Sequence, residues 1–385
     1  MKPTDAVTTA RAVAEQLRKD AVERQHANQP PLAEIDLLRE SGLLAVDPDD
    51  HRTTHAVTRL VSAGDASIGH LLGYHYLHLW RASLYDNKEL ARSLRHDVVA
   101  ERLFVAAVSN PRDTITATEG RDAISVSGRG AFATGCAVAD RLFVSATRAD
   151  RTARHVIVVR RSAERISHPP DWDNLGQRLS ASGSVIFQDV QVDPGDVLGT
   201  FPVGEDESSP RWVRLSLVSL AFQAVLTQVL VGIVEGALAE AAQYTRESSR
   251  PWPASGLERA IDDPHILAGY GDLDATLRAT RLLADEATRA FAEADAAGPA
   301  LTSAERGRAA LAVSAAKVVS SRTATEATSR IFELTGARAT ARSSGLDRFW
   351  RDARTLTLHD SLVYKAQELG TSFLTGKVPP VTAYS

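Results

Sequence analysis

The sequence predicts an α+β chain that is mostly α. A helical N-terminal domain spans residues 1–102, a small β-barrel middle domain spans 103–205, and a C-terminal four-helix bundle spans 206–385. Apolar residues recur at helical spacing through the first hundred positions, and long helical stretches return after residue 210. Between them lie short runs rich in Val, Ile and Phe, punctuated by Gly, Asn, Asp and Pro. At 385 residues, 44% hydrophobic and 24% charged, the chain has the balance of a globular protein and is too long for one ordinary core.

The first helix is predicted over 5–24, where Ala6, Ala10, Val13, Ala14, Leu17 and Ala21 share a face. After Pro30 and Pro31, residues Leu32, Ile35, Leu37 and Leu38 mark a second helix, with Gly42 as its C-cap. Helical patterns continue over 57–72, 76–84 and 87–101. Strands are predicted at 103–109, 123–127, 141–147, 155–160 and 184–192, and their short connections point to antiparallel pairing. In the last, Val185 and Phe187 alternate with Ile186 and Gln188, as one better-buried face requires. Helices over 213–247, 266–296, 303–334 and 359–374 complete the bundle. The first of these is apolar almost all round, which predicts burial on several sides.

The formal charge of −4 disfavours a nucleic-acid partner, and the basic stretch at 338–354 is interrupted by Asp347 and Asp352. The single cysteine, Cys136, excludes an internal disulfide framework and reads as a buried packing position. His75 and His78 can share a helix face, but no carboxylate sits at a ligand offset, so no metal is expected. No apolar run reads as a bilayer span and the N-terminus lacks a signal-like apolar core, so no membrane contact and a cytoplasmic location are expected. No G-x-G-x-x-G fingerprint or P-loop occurs, so no nicotinamide or nucleotide-phosphate site of those kinds is predicted.

The order helical domain, β-domain, helical bundle resembles the acyl-CoA dehydrogenase fold. Residues 128–140 (GRGAFATGCAVAD) resemble that family's flavin-contact segment, and 173–178 (DNLGQR), 184–192 and 197–199 resemble its following loop and strands. The Tyr-Glu-Gly turn that typically carries the dehydrogenase base is missing. Instead 336–340 (GARAT), 345–360 (GLDRFWRDARTLTLHD) and Tyr364-Lys365 are similar to flavin-dependent monooxygenases of this fold, of the dibenzothiophene and amine or aminosugar N-oxygenase type. Residues 74–80 (YHYLHLW), 109–111 (SNP) and 244–252 (YTRESSRPW) resemble the same branch.

The resemblance implies a two-component enzyme. It takes reduced FMN or FAD from a separate flavin reductase, forms a C4a-hydroperoxyflavin with O₂, and oxygenates a small-molecule substrate at S, N or C. A homotetramer is the family's usual state. The alternatives are an acyl-CoA dehydrogenase-type oxidoreductase and a flavin-binding scaffold without activity.

The residues fit a flavin. The Thr134-Gly135 turn can bring backbone N–H groups to the ring's polar edge, because glycine permits close approach. Trp172 can stack on the ring, or serve as a core aromatic. By the resemblance, Arg250 and Arg338 grip the flavin phosphate, one of them from a neighbouring subunit, with Ala339 and Thr340 beside them. The plain alternative for the arginines is surface ion pairing. His359 is the leading catalytic candidate, since an imidazole near the flavin N5/C4a edge can hold or relay a proton; otherwise it merely starts the last helix. Asp360 reads as that helix's cap rather than as the group orienting the ring. Asn110 and Tyr76 would place an amide and a phenol over flavin or substrate, against ordinary packing as the alternative. The loops at 200–210 and 251–264 are expected to line the pocket. Two departures from the sulfur-oxidising pattern stand out: Leu356 where His begins His-Thr-Leu-His-Asp, and Ala133 where some relatives carry Ser. They weaken dibenzothiophene itself as the substrate.

Overall fold

The computed structural model describes residues 2–110, 112–204, 206 and 209–382. Pro111, Glu205, Glu207 and Ser208, which fall within the candidate segments 109–111 and 200–210, lie outside them. The N-terminal third folds into α1 (Pro3–Arg18), α2 (Ala21–Ala27), α3 (Leu32–Ser41), α4 (His51–Gly64), α5 (Ala66–Ala82) and α6 (Lys88–Glu101). Gly42 ends α3 with φ 75°, as expected of a C-cap. The helix expected over 57–72 is instead divided at Asp65, whose extended backbone leaves α4 and whose carboxylate accepts from the Ser67 and Ile68 amides to cap α5. Every residue of α5 is buried, so its two faces serve two different cores.

Eight strands follow among the described residues: β1 (Val105–Val108), β2 (Thr116–Glu119), β3 (Ile124–Gly130), β4 (Arg141–Arg148), β5 (Ala153–Arg160), β6 (Ile166–Ser167), β7 (Val185–Val192) and β8 (Val197–Pro202). They form one sheet in the order β6-β7-β3-β2-β4-β5-β8. The expectation of wholly antiparallel pairing is corrected: β1 and β2 lie one after the other along the same side of β4, both parallel to it. The ladder has two ends, β6 and β8, so hydrogen bonding does not close it into a barrel among the described residues. In β7 the alternation slips once. Asp189 adopts φ 53° and exchanges hydrogen bonds with the Ser127 hydroxyl, which turns Val190 and Val192 inward after Val185 and Phe187.

The last part contains α7 (Pro210–Leu215), α8 (Leu217–Glu247), α9 (Pro264–Ala296), α10 (Ser303–Thr335), α11 (Asp347–Leu356) and α12 (Leu362–Thr375). The continuous helix expected from 213 is interrupted at Ser216, whose carbonyl and hydroxyl accept hydrogen bonds from the buried Arg306 guanidinium. α10 starts on a capping box between Thr302 and Glu305. The last helix begins at Leu362, not at 359, and α11 is an additional helix that the sequence reading did not resolve.

The segment Pro210–Glu247 is long and apolar enough to cross a bilayer by length and composition, which corrects the expectation that no run qualifies. Its most apolar stretch is 83% buried inside the protein. The apolar surface that a membrane would otherwise cover is taken up by α4, α5, α9 and α10 around it.

Candidate active site

One face of α5 lies where the three regions meet. His70, Tyr74 and His78 follow one another at i, i+4 and i+8, so they project from the same side of the helix. The Tyr74 ring stands edge-on to His70 at 4.3 Å and to Phe222 of α8 at 5.0 Å between centroids. His78 packs against Phe222 and Phe143. Opposite, in the connection between α11 and α12, His359 sets its Nε2 3.4 Å from the Tyr74 hydroxyl. Its side chain keeps 42% exposure, so this is the open end of an otherwise buried group.

His359 is oriented from behind. Its Nδ1 is 3.2 Å from Asp360 Oδ2, and the same oxygen accepts from the Lys317 ammonium at 2.9 Å. Burial pulls the Asp360 carboxyl upward, but His359 and Lys317 together outweigh it and hold the group well below the usual carboxylate range. Asp360 therefore does not cap α12, whose N-cap position is Ser361. It faces the imidazole, contrary to the sequence expectation.

The β-domain supplies the other wall. Gln177 adopts φ 56° and its Oε1 lies 3.0 Å from His70 Nδ1. Its backbone is pinned on three sides. Its amide donates to buried Asp352 of α11, and its carbonyl accepts from the Trp172 indole and the Ser180 hydroxyl. Burial pushes the Asp352 carboxyl up to about 7 and lowers His70 to about 3, so His70 is a neutral imidazole near neutral pH. His70 Nε2 and Gln177 Nε2 are both buried and have no hydrogen-bond partner. A ring nitrogen and an amide left unsatisfied side by side match a ligand edge that carries both donors and acceptors, as a flavin's does.

The loop that follows β3 sits against the same wall. Thr134 Oγ1 is 2.9 Å from Ser182 Oγ, and Phe132 meets Trp172 edge-on. Gly135 has φ 76°, a left-handed backbone that strains any other residue, and a Cβ there would press on the buried Leu71 side chain at 2.9 Å. The expected free amides are absent, however. The Thr134 N–H donates to Phe132, and the Gly135 N–H donates to Ser180. What this turn can still offer is the Thr134 hydroxyl. Trp172 is half-buried, with its indole N–H held by Gln177.

The remaining predicted residues separate. Tyr76 is not in the crevice: its hydroxyl donates to the Leu43 carbonyl at 2.7 Å, in the core between α5 and the N-terminal helices. Two residues along a helix turn the side chain by about 200°, so Tyr74 and Tyr76 cannot share a face. His75 is likewise spent on structure, bonding the Leu44 carbonyl and the Val105 amide. Asn110 sits at the end of β1, with its side-chain oxygen accepting from the Arg112 amide; Asp113, which accepts from both the Asn110 and Ala131 amides, ties that end to the Thr134 loop. Leu356 and Ala133 are buried packing residues. Cys136 is fully buried, and burial pushes its thiol up. Among the described residues no group of three His, Cys, Asp or Glu could hold a metal.

Arg250 and Arg338 are exposed at the far end of the bundle, where the Arg338 guanidinium donates to the Ser248 carbonyl at 2.9 Å. Ala339 is buried there, and the Thr340 hydroxyl bonds the Ala337 carbonyl. From Phe222, beside Tyr74, to Ser248 is the run of α8, about 40 Å at 1.5 Å per residue. Within one chain these arginines and His359 cannot hold the same small molecule. The 251–264 connection leaves from that same far end, so it does not line the His359 crevice.

Sequence reasoning missed Tyr74, His70, Gln177, Phe222 and Lys317. The i, i+4, i+8 spacing of His70, Tyr74 and His78 was the available signal.

Among the described residues, six N-terminal helices, one mixed sheet and a helical C-terminal part make an acyl-CoA dehydrogenase-like fold. The family model for the acyl-CoA dehydrogenase C-terminal domain matches residues 224–364. A probable FMNH2-dependent monooxygenase, SfnC of Pseudomonas putida, is 36% identical over 394 residues, covering 100% of this chain and 98% of its own. The structure of TdsC from Paenibacillus sp. A11-2 with FMN and indole superimposes with a TM-score of 0.92 at 35% identity, covering 99% of both chains. Methanesulfinate monooxygenase MsuC from Pseudomonas fluorescens gives 0.91 at 35% identity, over 100% of both. The chain belongs to the flavin-dependent monooxygenases of the acyl-CoA dehydrogenase fold.

Proposed function

We propose that the protein is the oxygenase of a two-component system, taking reduced FMN from a separate flavin reductase and using O₂ to oxygenate a small organic substrate at sulfur, nitrogen or carbon. The observation that carries this is the half-exposed His359 set against Tyr74, at one end of a cluster that also holds two unsatisfied buried polar groups, His70 Nε2 and Gln177 Nε2. Sulfur is the first centre to test, because MsuC is a methanesulfinate monooxygenase and TdsC a dibenzothiophene monooxygenase. FMN is favoured over FAD by the FMN complex of TdsC.

Reduced FMN, when bound, supplies the electrons that activate O₂. The chain's own residues do the rest. Thr134, Trp172, His70 and Gln177 line the wall that would receive the ring and its polar edge. Tyr74, Phe222 and His78 form an aromatic floor that excludes water. His359 holds a proton on Nδ1 against Asp360 and presents Nε2 to the Tyr74 hydroxyl, so proton exchange with the crevice runs through Nε2. Asn110 only borders the Thr134 loop, through Asp113.

Arg250 and Arg338, with Ala339 and Thr340, would receive the phosphate of a flavin bound to another protomer. Their neighbouring positions at one end of the chain support both arriving together, rather than one from each subunit. That arrangement requires a homo-oligomer, and a tetramer is the state we propose. The core burial of α8 argues against its spanning a bilayer, and a cytoplasmic enzyme is the location we propose.

The test combines purified protein with a flavin reductase, NADH, FMN and O₂, and screens sulfinates, thioethers, aromatic thiophenes, indole and amines for oxygenated product by mass spectrometry. Product from at least one class, falling about a hundredfold in His359→Ala, is expected. Reduced-flavin consumption that yields only peroxide with every class would contradict the proposal.

A further inference from the structure

We propose that Lys317 is a positioning residue for His359, acting through Asp360 to fix the imidazole as its Nδ1–H tautomer with the Nε2 lone pair turned to Tyr74 and the crevice. This rests on the reading of His359 as the group that handles the proton.

The Lys317 side chain is 1% exposed, on the face of α10 that also carries buried Val313, Ala316 and Ser320. An ammonium there is costly unless it is paired, and an apolar pair of similar volume would usually stitch two helices as well or better. Among the described residues its ion-pair partner is Asp360, at 2.9 Å. The carboxylate oxygen that Lys317 binds is the one that also faces His359 Nδ1. An ammonium can only donate and a carboxylate can only accept, so the ring nitrogen facing Asp360 must carry a proton. That leaves Nε2 without one in the neutral ring, and the Tyr74 hydroxyl is then the donor across the 3.4 Å contact. The buried charge on α10 thus holds the carboxylate that sets the direction of the hydrogen bonds out to Tyr74.

A neighbouring pair shows that Lys317 is not simply neutralising α12. Glu368 already has Lys365 at 3.0 Å and the Ser314 hydroxyl at 2.9 Å. Tyr74 and His70 from α5 and Asp360 in its own segment face His359, while Lys317 from α10 faces Asp360, and Lys365 from α12, paired with Glu368, lies near Asp360 and Lys317.

The test reads His359 in the flavin-free protein. Diethyl pyrocarbonate attacks neutral imidazoles, and peptide mass spectrometry reports the modification at His359 as a function of pH. In Lys317→Met, Asp360 is no longer shared, so the pH midpoint of His359 modification should rise by about one unit. In Asp360→Asn, the carboxylate is lost while the ammonium stays, so the midpoint should fall by a similar amount. Opposite signs are the signature: damage to packing alone would move both variants the same way. An unchanged midpoint in Lys317→Met, or shifts of one sign in both, overturns the proposal. Should Lys317→Met fail to fold, Lys317→Gln is read in its place: a raised midpoint supports the proposal, and an unchanged or lowered one overturns it.

A second measurement follows peroxide release from bound reduced FMN and O₂. It should be about tenfold faster in Lys317→Met than in the wild type, and no faster in Lys317→Met/His359→Gln than in His359→Gln alone. Equal acceleration in both backgrounds would overturn the positioning role. If His359→Gln itself leaves release unchanged, the oxygenase reading of His359 fails, while the modification midpoints still decide the role of Lys317.

Discussion

Tyr74 and Tyr76 are neighbours on one helix with unrelated work. The first puts its hydroxyl against His359, and the second hands its own to the Leu43 carbonyl. Tyr74→Phe should therefore lower oxygenation ten- to a hundredfold with little change in stability, since the ring packing against His70 and Phe222 survives. Tyr76→Phe should do the reverse, costing about 1 kcal/mol by stranding a buried carbonyl while leaving kcat intact. Chemical denaturation and steady-state assays on the two variants check both. At this scale the Thr-Leu-His-Asp stretch singled out His359, which the structure sets against Tyr74 and Asp360. The choice between the two tyrosines was not legible. It depends on which face of an all-buried helix meets α8, and an all-buried helix shows no polar side to set its phase.

The elements that hold the site are the 172–180 segment and α11, and Gly176 is where they touch. A Cβ at Gly176 would lie 2.1 Å from the Arg351 carbonyl oxygen, which backbone cannot yield cheaply. Gly176→Ala should push the segment off α11, break the Gln177 amide bond to Asp352 and release His70 from Gln177. We expect a loss of about 2–4 kcal/mol in stability, together with weaker FMN binding, measured by denaturation and flavin titration. Unchanged affinity would show that Gln177 and His70 do not line the flavin wall.

The long helices were readable because their period persists for many turns. The missed strands were not: β2 (Thr116–Glu119) is largely exposed and polar, β6 has two residues, and β8 carries Gly199 and Pro202. α11 was hidden by composition, since its charged residues Arg348 and Asp352 are buried along with Phe349 and Ala353.

Across the whole molecule, buried histidines join the N-terminal helices to the rest. Burial above all lowers His55 and His70 to about 3 and His75 to about 4, from an ordinary value of 6.5. Below pH 6.5 the unfolded chain binds more protons at these sites than the folded one, so stability is full above that pH and drains away as pH falls toward 4. Each contributes about 1.4 kcal/mol per pH unit at most. Asp352, raised to about 7, runs the other way between its ordinary value of 3.8 and 7, and offsets one of the three. Thermal midpoints should drop steadily from pH 6.5 to 5; a flat profile would show that these histidines protonate without unfolding.

Arg250 and Arg338, which we propose for the phosphate, belong to this scale as well. Their distance from His359 follows only from the length of α8.

The most direct measurement is a crystal structure of the protein with FMN. We predict the isoalloxazine between Trp172 and Thr134 on one side and His359 on the other, with its phosphate on Arg250 and Arg338 of a second protomer. A flavin lodged away from His359, or one whose phosphate is held without those arginines, would contradict the account.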